Sequence, residues 1–119
     1  MEKDFHYIVA LQDDVIIGLV TWLSHGLPRH GLFELDRIFL LSGARGKGVG
    51  KGLITELIKD ADKWYKIMGA NIRKLYLLTQ EDNVDAHIFY EKVGFVLETT
   101  LKGHYYKDQN ERVYSKFFK

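Results

Sequence analysis

A chain of 119 residues with 46% hydrophobic residues, 28% charged residues and one proline has the make-up of a single globular domain with a small core, and not of a disordered segment. Its net charge of +1 gives no reason to expect nucleic acid or an acidic membrane as main partner, and the absence of cysteine removes disulfides, thiolate nucleophiles and zinc-finger ligands together. The start Met1-Glu2-Lys3-Asp4 lacks signal-peptide character and no apolar run reaches membrane-spanning length, so a cytoplasmic location is expected.

In chain order, Phe5 to Leu11 and Val15 to Leu23 are apolar and rich in β-formers, and Gln12-Asp13-Asp14 between them predicts an antiparallel hairpin. Ser24 to Gly31, with two glycines, two histidines and Pro28, reads as a loop, and Leu32 to Leu41 as the next strand. From Val49 the apolar positions Leu53, Ile54, Leu57, Ile58, Ala61, Trp64 and Met68 follow a helix face that Gly69 ends. Ile72 to Thr79 is a further strand. Asn83 to Val93 reads as a short helix closed by Gly94, and Thr99 to Tyr106 with Val113 to Phe118 as the last strand pair. Strand 32–41, helix 49–68 and strand 72–79 form a crossover unit, whose strands run parallel and whose ligands sit beyond their carboxyl ends.

The segment Arg45-Gly46-Lys47-Gly48-Val49-Gly50 occupies that place. Bare backbone at a helix start lets an anion approach unpaired N–H groups that carry partial positive charge, which is how phosphate is bound. A nucleotide-triphosphate loop would need glycine at 45 and a hydroxyl at 52, where Arg45 and Gly52 stand; a dinucleotide fingerprint would need glycine at 51, where Lys51 stands. The spacing that fits is Arg-x-x-Gly-x-Gly. It resembles the pyrophosphate loop of the GCN5-related N-acetyltransferases (GNAT). Residues 83–95, with Asn83, Ala86, Phe89, Tyr90, Gly94 and Phe95, resemble that family's second signature, and both occur in the family's order.

The resemblance implies a mixed, mostly antiparallel α/β (α+β) sheet with a central parallel β-α-β unit. It also implies acetyl-coenzyme A as cosubstrate, without a metal, and transfer of its acetyl group to a primary amine by direct attack in a ternary complex. Arg45, Gly46, Lys47, Gly48, Val49, Gly50 and Lys51 would hold the pyrophosphate, backbone near Phe39 and Leu40 the pantetheine arm, and Asn83 and Tyr90 would approach the same cleft. Tyr90 would protonate the leaving thiolate, and Glu34 or Asp36, alternating on one strand face, would take a proton from the amine. The strand sequence from Glu34 to Phe39 weakly resembles the polyamine-acetylating branch. Family members carry a strand and two helices ahead of the segment matching Phe5, where four residues stand here. The expected fold therefore lacks them, and a homodimer is expected, with the aromatic strand Val113 to Phe118 as the edge to be covered.

Other residues carry weaker signals. His25 and His30 are read as solvated loop residues without an acidic or thiol partner at ligand spacing, His87 as lying on the exposed side of its helix, and Trp22 and Trp64 as core. Tyr105 and Tyr106 are candidates for lining an acceptor pocket. Two alternatives to the enzyme stay open: a non-catalytic coenzyme A-binding regulatory module, and an interaction domain.

Overall fold

The computed structural model describes residues 4–46 and 48–119. They fall into two compact units that divide between Arg73 and Lys74.

The first unit is a three-stranded antiparallel sheet carrying one long helix. β1 (Phe5–Gln12) pairs with β2 (Val15–His25), and β2 with β3 (Leu32–Leu40). The β1–β2 turn needs no glycine. Asp13 and Asp14 adopt φ of 51° and 65°, the left-handed pair that matches hairpin twist and that short polar side chains tolerate. α1 (Val49–Ile67) packs on this sheet, most extensively on β2. Leu53, Leu57, Ala61 and Tyr65 recur every four residues and are buried with Ile54 against Val20, Trp22, Phe33 and Leu35. The line reaches Tyr65 and not Met68, which is 52% exposed because the helix ends one residue before it.

Trp22 is fully buried and of the order of 200 Å² in area, so at ~25 cal/mol/Å² its burial contributes about 5 kcal/mol before entropy. Its indole N–H donates to the Asp60 carboxylate of α1 at 2.9 Å, and the Tyr65 hydroxyl donates to the Leu32 carbonyl at 2.7 Å. Neither buried donor is left unmade. Burial pushes the Tyr65 phenol up to about 12.

The second unit has β4 (Lys74–Gln80), α2 (Val84–Lys92), β5 (Val96–Tyr106) and β6 (Gln109–Phe117), with β6 antiparallel to both β4 and β5. This corrects one expectation. The aromatic tail is the central strand of its unit, with Val113, Tyr114 and Ser115 buried, and the exposed apolar residues lie on β5 instead: Val96, Leu97, Tyr105 and Tyr106. α2 begins at Asn83, whose side-chain oxygen accepts from the Ala86 N–H at 3.2 Å.

His87 corrects a second expectation. It is 5% exposed, on the inner face of α2. Its Nε2 lies 2.9 Å from the Gln80 carbonyl, which can only accept, so the proton sits on Nε2. Nδ1 then accepts from Arg112, at 3.4 Å, and that same guanidinium nitrogen donates to the Tyr114 hydroxyl at 3.2 Å. Lys74 pairs with Glu98 at 2.7 Å, and the Ser115 hydroxyl donates to the same carboxylate; these two hydrogen bonds hold Glu98 below the usual carboxylate range.

Candidate functional site

The first cluster of expected site residues lies between β3 and α1. After Leu40 the chain makes a 3-10 turn at Ser42–Ala44, with Ala44 buried, and Arg45 emerges exposed. Gly46 and Gly48 take φ of 77° and 76°, in the left-handed region that glycine enters without steric cost, and a Cβ built on either would meet nothing within 4 Å. The space over this turn is therefore open to a ligand. Gly48 is the N-cap of α1, and its carbonyl accepts the first helical bond, from Gly52, at 3.0 Å. No side chain caps the helix and no acidic residue stands in its first turn, so the N–H groups of Val49, Gly50 and Lys51 have no partner among the described residues. With Arg45 and Lys51 alongside, the helix start carries the positive local field that a pyrophosphate requires. Lys47 lies outside the described residues.

β3 leads into this turn. Phe39 is exposed and Leu40 half-buried at its end. The two carboxylates of β3 differ in setting. Leu35 pairs with Trp22 and Arg37 with Thr21, so Asp36 is an unopposed residue in a β-bulge, and it is exposed. Glu34 lies opposite Leu23 and is reached diagonally by His25, whose Nε2 is 2.7 Å from a Glu34 carboxylate oxygen; their side chains are 20% and 17% exposed. The strand alternation of β2 runs on through His25, which is thus a strand residue and no solvated loop residue. His30 stays in the turn at Pro28–His30, where its Nδ1 accepts from the Leu27 N–H at 2.9 Å. Among the described residues no three metal-ligating side chains cluster.

The second cluster is on α2 in the other unit. Asn83 caps the helix, and Tyr90 lies two turns further on its buried face, 7% exposed, against Phe95 and Tyr114. Burial pushes its phenol up to about 12, so the hydroxyl holds its proton throughout the physiological range. Sequence reasoning missed His25, although the period-two pattern Leu19, Thr21, Leu23, His25 carries the signal.

The acetyltransferase (GNAT) family model matches residues 1–95. The spermine/spermidine N(1)-acetyltransferase of Bacillus subtilis is 33% identical over 100 residues, and the match covers 78% of this chain and 62% of the relative's length. The chain thus spans under two thirds of the curated relative. A candidate streptothricin acetyltransferase from Bacillus anthracis, solved with acetyl-coenzyme A, is 28% identical with a TM-score of 0.76 over 95% of this chain and 62% of its own. A candidate GNAT acetyltransferase from Desulfovibrio desulfuricans shares the fold, with a TM-score of 0.81 at 23% identity over 95% of this chain and 69% of its own. The mixed α+β fold class expected from the sequence is that of these structures. The loop, the helix start and the family match together establish that this chain belongs to the GNAT family of acetyltransferases.

Proposed function

We propose that the chain is an acetyl-coenzyme A-dependent N-acetyltransferase that acts on a primary amine of a polyamine-like small molecule. The observation that carries the reading is the uncapped N-terminus of α1 behind two open left-handed glycines, a cradle suited to a pyrophosphate. The polyamine class is supported by the name of the B. subtilis relative. Arg45 to Lys51 hold the pyrophosphate, and backbone near Phe39 and Leu40 receives the pantetheine arm.

β3 covers about 20 Å between residues 34 and 40 at ~3.3 Å per residue. A carboxylate at its early end therefore serves the thioester end of an arm anchored at the loop, and not the phosphates. Glu34 takes one proton from the ammonium of the acceptor, and the freed lone pair attacks the thioester carbonyl. The C–S bond breaks and the thiolate takes a proton from Tyr90, which recovers it from the nitrogen as the amide forms. That coupling matters. A phenol pushed up by burial to about 12 is a weaker acid than a thiol, so an isolated transfer would be uphill. The protein works in the cytoplasm as a homodimer, a state supported by the exposed Val96, Leu97, Tyr105 and Tyr106 of β5.

Thiol release in the presence of acetyl-coenzyme A and spermidine tests the reading. Release that requires both supports it. Binding of acetyl-coenzyme A without release, across a panel of amines, would replace the enzyme by a coenzyme A-binding module.

A further inference from the structure

β6 presents alternate residues to the two faces of its unit. Arg112 and Tyr114 face α2, where they meet His87 and Tyr90, so Glu111, Val113 and Ser115 face away from that helix. All three are buried, Glu111 to 4% exposure. Ser115 donates to Glu98, but the Glu111 carboxylate has no hydrogen-bond or ion partner among the described residues. Its neighbours across the ladder are Gln80 on β4 and Leu101 on β5. A buried carboxylate left without a partner is costly, and a ligand that completes it removes the cost.

Glu111 is also the last buried residue on this face. One ladder step toward the β5–β6 turn, Gln109 and its partner Tyr106 are both exposed, and so is Gln80. The carboxylate is therefore approached from this end. Gln80 Nε2 donates to Gln109 Oε1 at 3.1 Å, so the two amides hold each other. Between Leu101 and Tyr106, β5 carries four residues where β6 carries Asn110 alone. Asn110 clamps this bulge: its Oδ1 accepts from the Gly103 N–H at 3.1 Å, and its amide donates to Glu81 at 3.2 Å. Leu101 and Tyr106 thus flank a single anionic group, a combination that suits an ammonium on an alkyl chain. A divalent metal ion needs several charged ligands, and among the described residues no three metal-ligating side chains cluster.

We propose that Glu111 binds an ammonium group of the acceptor other than the one that reacts, and so selects polyamines over monoamines. The inference rests on the acetyltransferase reading above and assigns its substrate preference to one residue. The contact lies away from the bonds that change, so it acts on KM and not on kcat.

The test compares spermidine with butylamine, which shares its aminobutyl end and lacks the further cations. Thiol release with each amine is measured on the unaltered protein, Glu111→Gln, Glu111→Asp and Asp108→Asn. Loss of one hydrogen bond to a charged group raises the spermidine KM of Glu111→Gln about 10- to 100-fold, with kcat and the butylamine KM within about twofold. Glu111→Asp keeps the charge one methylene further back and loses less. Asp108→Asn removes the same charge from the exposed turn and leaves both KM values within about twofold, which separates a contact from the general field. Glu111→Gln melts no lower than the unaltered protein, because it removes an unpaired buried charge. Equal losses with both amines, an unchanged spermidine KM in Glu111→Gln, a loss as large in Asp108→Asn, or a lower melt of Glu111→Gln would each overturn the inference while leaving acetyl transfer intact. Absence of amine-dependent release from the unaltered protein would instead remove the reading on which it rests, and the inference with it.

Discussion

Alanine in place of Gly48 separates what the backbone needs at that position from what the ligand needs. Gly48 sits at φ 76°, and a non-glycine residue there costs about 1–2 kcal/mol in the left-handed region. For a 119-residue domain the entropy of unfolding at ~2.1 cal/mol/K per residue comes to about 0.25 kcal/mol/K, so Tm should fall by about 4–8 °C. The added methyl stands in space that is otherwise clear to 4 Å, where a pyrophosphate would approach the N–H groups of Val49, Gly50 and Lys51. Three charge–dipole contacts at about 0.3–1 kcal/mol each set the expected loss of affinity at about 1–3 kcal/mol, or roughly 5- to 150-fold. Gly52→Ala is the control. It lies inside the helix, also with nothing within 4 Å, so alanine there should gain about 0.5–1 kcal/mol and leave affinity unchanged. Calorimetric titration with acetyl-coenzyme A on both variants, with thermal melts, reads both quantities. A Gly48→Ala protein that melts lower but binds as tightly as the unaltered one would refute the placement of the pyrophosphate.

Tyr90→Phe removes a hydroxyl that burial keeps protonated; turnover should fall about 10²-fold with acetyl-coenzyme A affinity within about twofold, and full turnover under chemistry-limited conditions would make Tyr90 a packing residue. Asn83→Ala deletes the cap of α2, costing about 1 kcal/mol and about 4 °C in Tm; an unchanged melt would show that the Asn83–Ala86 bond carries no net stability. Because its folded-state pKa is lowered by the hydrogen bonds from Lys74 and Ser115, Glu98 contributes stability that is complete above the unfolded carboxylate value and is lost as pH falls through the folded one. Glu98→Gln should therefore be less stable than the unaltered protein near neutrality, with the gap closing in acid; a constant gap from pH 7 down to about 3 would contradict this assignment.

Most of the fold was legible because its signals are local. The alternation of β1 and β2, the glycine turn and the four-residue spacing of Leu53, Leu57 and Ala61 each report on one element at a time, and the elements up to α2 have ends within two residues of those expected, whereas β5 and β6 start at Val96 and Gln109, three and four residues before the expected Thr99 and Val113. The misreadings fall where a partner from elsewhere in the chain decides. His87 is polar, and only the Gln80 carbonyl and Arg112 make its burial tolerable. His25 follows a strand pattern that the nearby glycines and proline mask, and its ladder partner Leu32 on β3 places it in the strand. The bulge at Asp36 is invisible in composition, since it is a property of the register between β2 and β3. The central place of β6 came from pairing on both its sides, whereas its alternating aromatic pattern suited an edge equally well.

The most direct test of the central claim, that the glycine turn and the start of α1 form the coenzyme cradle, is to follow backbone amide resonances during titration with acetyl-coenzyme A. The account predicts that the N–H signals of Gly46, Gly48, Val49, Gly50 and Lys51 move most and saturate together. Binding that leaves these five signals in place would contradict it.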